Sequence, residues 1–159
     1  MVQSNANPGD EYLRTKVLTA SAEQLQLMLY DAAIRFARQG RDALAAGTLD
    51  VSCNKLLRAQ KIVLELNGAL RPAVDPDLCD RLRALYHFIY RRLVEGSLHR
   101  DAAAVEEAIA LLEHQRQTWL MLMQRLAGQA QPAQSPVSAA RAAGSSPAPS
   151  AQVSLNIAG

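Results

Sequence analysis

The stretch TASAEQLQLMLYDAAIRF, Thr19 to Phe36, constrains the fold more than any other part of the chain. Its start is marked twice. Ser21 can accept a hydrogen bond from the first turn, and Gln24, three residues on, can reach back to the cap as in a capping box. Leu25, Met28, Leu29, Ala32, Ala33 and Phe36 then recur at helical spacing and form one core-facing stripe. Leu27 and Ile34 fall outside it. One stripe suffices for a surface helix, so this helix must be covered on a second side, by its own domain or by a partner.

The rest of the chain repeats the pattern. This first long helix is predicted from Ala22 to Ala46, with Gly47 as its C-terminal stop. Asp50 is placed to cap a second, which carries Leu56, Val63, Leu66 and Leu70 on one side and Leu57 and Ile62 on another. RPAVDPD breaks it and begins a third, with Asp75 at the cap and Pro76 at the first helical position, where a missing N–H costs nothing. Leu78, Leu82, Leu85, Tyr86, Ile89 and Leu93 line the third, which should end near Gly96-Ser97. Asp101 can cap a fourth, with Val105, Ala108, Leu112, Trp119, Leu122 and Leu126 in register. No segment alternates with period two over a useful length. The fold expected is therefore all-α: an antiparallel four-helix bundle over 19–127.

Two segments flank it. Residues 1–18 should form a mobile N-terminal arm, in which DEYLRTKVL makes a turn or two of helix too short to be stable without packing. From 128 to 159 the chain is mostly Ala, Gln, Ser, Pro and Gly with Arg141 its only charged residue, a composition that cannot offset its ordering entropy. A disordered tail is expected there, although its closing VSLNIAG is apolar enough to dock on something.

Composition removes several classes of function. A net charge of +2 with scattered basic residues, and 4% aromatic content, argue against nucleic acid. No apolar run approaches a membrane span, and MVQSNANPGDEY lacks the basic and apolar regions of a signal peptide. Cys53 and Cys79 form no CxxC pair and fit reduced thiols, so a cytoplasmic location is expected. His87, His99 and His114 belong to no HExxH or zinc-spaced cluster, and Glu113-His114 are adjacent rather than spaced for a di-iron bundle. There is no phosphate loop or nucleophile elbow. A phosphotransfer histidine is disfavoured, because LYHFIYRR and LLEHQRQTW lack the small residue and lysine that usually surround one. No catalysis, metal or cofactor is expected, which leaves binding.

Four segments then resemble one family, the flagellar export chaperones of the FliS type. YLRTKVLTASAEQLQLMLYDAAIRF is similar to the family's opening, in which a tyrosine precedes a T-A-S/T-P segment. NKLLRAQKIVLELNGAL, LRALYHFIYRRLVEGSLHRD and VEEAIALLEHQRQTW resemble its later signatures, in order and with comparable spacing, across Tyr12 to Trp119. Ala22 stands where the family usually has Pro, Ala32 where Gly is common, and Gly96-Ser97 where Ala-Asn is usual. The Ala/Pro/Ser tail is not part of the pattern.

The resemblance implies a cytosolic chaperone that holds the C-terminal segment of flagellin, blocks its premature polymerisation and keeps it fit for type III export. Components of the flagellar export gate would be further partners. A monomer or weak homodimer is implied, with no nucleic acid and no membrane insertion. Candidate client-binding residues are Tyr12 and Leu18 in the arm, and Leu27, Ile34, Leu57 and Ile62, which sit off the main stripes and suit either core or groove. Tyr12 matches the family's N-terminal tyrosine, and the arm is expected to cover the groove until client arrives. The rival reading is a generic helical adaptor or oligomerisation module binding another partner helix.

Overall fold

Five helices account for nearly all of residues 7–130, the part of the chain described by the computed structural model. They are α1 (Pro8–Thr19), α2 (Ala22–Ala45), α3 (Leu49–Gly68), α4 (Pro76–His99) and α5 (Ala102–Ala130). There is no strand among the described residues.

Local chemistry sets most of the boundaries. At the head of α2 the Gln24 amide N–H donates to Ser21 Oγ at 3.2 Å while the Ser21 N–H donates to Gln24 Oε1 at 3.0 Å, so the capping box is complete. Gly47 follows α2 with a φ of +74°, the left-handed conformation that suits glycine. Asp50 is not the cap of α3. That position is Thr48, whose side chain makes no capping bond, and Asp50 lies in the first turn, where its charge complements the helix dipole. Asp75 does cap α4, accepting from the Leu78 N–H at 3.0 Å. Asp101 caps α5, accepting from Ala103 and Ala104 at 3.0 and 3.1 Å.

Two ends differ from expectation. Helix α4 does not stop at Gly96-Ser97 but runs to His99 and turns through Arg100, a non-glycine residue with a φ of 56°. Gly96 is there for proximity: a Cβ would run into the side chain of Val105 and come within 3.2 Å of the Asp101 carbonyl oxygen. Helix α5 passes through Gly128 to Ala130, so residues 128–130 belong to the helix. The remainder of the expected tail, from 131, lies outside the described residues, as do residues 1–6 of the arm.

Packing closes a ring. Helix α2 lies against α3 and α5, and α4 against the same two, so each helix of the bundle has two neighbours. Short connections make the three sequential pairs antiparallel, and α5 therefore also runs opposite to α2. Tyr30, Leu56, Val63, Leu66, Tyr86, Ile89, Leu93 and Leu112 fill the axis. Full burial of each leucine or isoleucine stabilises the fold by about 1.5–3 kcal/mol. The surplus apolar surface of α2 is explained in part by this ring: Ile34, off the main stripe, is only 5% exposed because a second neighbour covers it. Helix α1 stands apart and buries none of its residues.

Candidate binding site

An apolar groove of about 430 Å³ opens at the end of the bundle where α2 begins, α3 ends and α4 begins. Leu66 of α3, Leu70 and Val74 of the connection, Leu78 and Leu82 of α4, and Trp119 and Leu122 of α5 line it. The buried rings of Tyr30 and Tyr86 also border it, and Gln26, Arg71, Gln115 and Thr118 supply polar atoms around it. Trp119 donates its indole N–H to the carbonyl oxygen of Glu23 at 2.9 Å, which fixes the ring beside the groove and ties α5 to the first turn of α2. Helix α3 has ended at Gly68 and α4 begins only at Pro76, so the groove is bordered there by the connection, which holds Pro72, rather than by a continuous helix. Val74 is left 84% exposed and Leu78 51%.

A second apolar surface lies along the outside of α3. Leu57 and Leu64, seven residues apart and so on one face, are both about half exposed. Beside it, Arg35, Lys55 and Arg58 place their charges 5.2–5.6 Å from the centroid of the Phe36 ring. The α2/α5 edge is different in character. Arg116 meets Asp31 at 2.5 Å, Arg41 meets Glu106 at 2.7 Å and Arg38 meets Glu113, so charges along that cleft are paired.

Among the described residues no group of three His, Cys, Asp or Glu side chains comes together to hold a metal ion. Burial, reinforced by the neighbouring Tyr30, pushes the Tyr86 phenol well above its ordinary pKa of 10.0, so it stays neutral. No described helix is long and apolar enough to cross a membrane. The arrangement presents apolar surface to solvent at the bundle end and along α3.

The six candidate residues do not converge on one site. Tyr12 and Leu18 are 68% and 75% exposed on α1. That helix does not cover the groove, contrary to expectation, since none of its side chains is buried against the bundle. Leu27 is half-buried. Ile34 is a core residue, which leaves it no face for a client in this arrangement. Leu57 is on the surface, whereas Ile62, on a different face of α3, packs against the core. Leu70, Val74, Leu78 and Leu122 were missed as groove residues. The available signal was Val74, an apolar residue inside a proline-bounded connection.

The family model described as Flagellar protein FliS matches residues 5–126. The Flagellar secretion chaperone FliS of Bacillus subtilis (strain 168) is 30% identical over 118 residues, covering 74% of this chain and 87% of the relative. That of Escherichia coli (strain K12) is also 30% identical, over 67% of this chain and 79% of its own. In structure, a bacterial flagellar chaperone solved by crystallography superposes with a TM-score of 0.62 at 18% identity, covering 74% of this chain and 99% of the other.

Proposed function

The chain belongs to the Flagellar protein FliS family, and from that premise we propose that it holds the C-terminal segment of flagellin in the cytoplasm before export. Bound in this way, the segment cannot nucleate polymerisation, and the subunit stays unfolded enough for type III secretion. Export-gate components would receive the complex. The protein acts by binding alone.

One observation carries this reading: a bundle with a well-packed axis leaves an apolar groove open at one end and leucines exposed along α3. Contiguous exposed apolar surface on a small protein marks an interaction site. A partner that folds on binding must recover its ordering entropy from extended apolar contact, and grooves between helices suit an amphipathic helix. In this proposal the groove takes one helical turn of client, Leu57 and Leu64 take another, and Tyr12 and Leu18 of α1 close over the bound segment.

Calorimetric titration with the C-terminal segment of the same organism's flagellin tests it. Saturable 1:1 binding, a large negative heat-capacity change and new helix by circular dichroism are expected. A folded protein that shows no binding would overturn it.

A further inference from the structure

We infer that residues 153–157, Val-Ser-Leu-Asn-Ile, dock in the bundle-end groove of their own chain. The groove is open, apolar and continuous with a track that leads toward the exit of the chain. From Trp119 and Leu122 in the groove, the apolar strip continues along α5 to Leu126, one turn further on and 50% exposed. The helix ends at Ala130, eight residues or about 12 Å beyond Leu122. A chain segment that leaves there and turns back along α5 meets this strip first and the groove next.

The sequence beyond α5 supplies one suitable occupant. Between 131 and 152 every residue is uncharged except Arg141, and Ala, Gln, Ser and Pro dominate. Val153, Leu155 and Ile157 then alternate with Ser154 and Asn156 in sequence, a spacing that would put three branched apolar side chains on one side were the segment bound extended. No charge lies from 151 to 158, so seating it in the groove desolvates no ionised side chain. The intervening residues reach as far as roughly 75 Å when extended, several times the distance back to the groove. Tethering makes the second event intramolecular, so a weak contact suffices. The family match stops at residue 126, which makes this segment an addition to the part of the chain shared with its relatives.

Docked there, the segment keeps the groove covered in the client-free protein. This consequence rests on the flagellin reading, although the docking itself does not. If the segment occupies the groove nine-tenths of the time, a client that needs it binds about tenfold more weakly than to an unobstructed groove.

Trp119 is the chain's only tryptophan and lines the groove, so its emission reports occupancy. The full chain is compared with the full-length double variant Leu155→Asp, Ile157→Asp. The variant should emit further to the red, and acrylamide should quench it at least twofold more strongly. A synthetic peptide of residues 151–159 should reverse both changes saturably in the variant and do little to the parent chain. The parent's emission should not change on dilution. Identical emission and quenching in the two proteins, with no saturable response to peptide, would overturn the inference. Loss of protection on dilution would overturn it too, by placing the segment in another copy. No flagellin is present in this experiment, so its failure and the failure of the client titration are separate results.

Discussion

The phenol oxygens of Tyr30 and Tyr86 lie 2.5 Å apart in the core, joining α2 to α4, two helices that sit diagonally across the bundle rather than side by side. Both rings are at most 3% exposed, so neither hydroxyl has water as an alternative partner. Tyr86→Phe should therefore leave Tyr30 unsatisfied and destabilise the fold by about 1–3 kcal/mol in urea unfolding. Replacing both with Phe should cost less than the sum of the two single changes, because no orphan remains.

The same burial makes stability depend on alkaline pH. Folded Tyr86 keeps its proton above the ordinary value of 10.0, whereas the unfolded chain releases it there. Its contribution is fully present below pH 10 and declines as pH rises above it, because the unfolded state then binds fewer protons. Denaturation midpoints measured from pH 8 to 11 should fall above 10, and Tyr86→Phe should flatten that part of the slope.

Two glycines of α4 and α5 should respond oppositely to alanine. At Gly96 a new methyl meets Val105, whose side chain is stiff and fully buried, and the cost should be about 1–3 kcal/mol. At Gly128 a Cβ meets nothing within 4 Å, and alanine should stabilise the helix by up to about 1 kcal/mol. Thermal unfolding of both variants checks the contrast.

On α3, Leu57→Asp and Leu64→Asp should weaken flagellin binding at least tenfold with stability changed by no more than about 0.5 kcal/mol. Ile62→Asp should lower stability by about 1–3 kcal/mol, because that side chain packs against the core and a carboxylate there is poorly solvated. Chemical denaturation beside calorimetry separates surface from core.

Helix α1 has 12 residues and no buried side chain. A helix of that length is marginal without packing. Its amides should exchange with solvent near unprotected rates while those at the centres of α2 and α4 are held back, and client should slow them. Hydrogen exchange followed by mass spectrometry checks both statements.

Periodicity and caps made the helices legible before any coordinates. Ser21 with Gln24, Asp75 with Pro76, and Asp101 all announce helix starts through chemistry confined to four residues. Glycine was less informative. Gly47 does adopt the left-handed turn, but Gly96 serves the approach of two helices, a tertiary demand that looks the same in one sequence. Asp50 misled because a first-turn carboxylate resembles a cap two residues away. The width of an apolar face shows how many neighbours a helix has, not which ones, so Ile34 could not be assigned to core or client beforehand. The groove was hidden for a related reason. It is assembled from α2, α3, α4, α5 and a connection, and exists only because their ends do not coincide.

The ring of helices described above also bears on how quickly the protein is made ready. Three of its four interfaces join helices that follow one another along the chain, and only the pairing of α2 with α5 spans the whole bundle. Such mostly local connectivity belongs to folders that finish in microseconds to milliseconds. The one pairing of high sequence separation, α5 on α2, is crossed by the ion pairs of Arg38, Arg41 and Arg116. A ribosome adds roughly 5–20 residues each second, so the bundle can be complete almost as soon as α5 has cleared the exit tunnel.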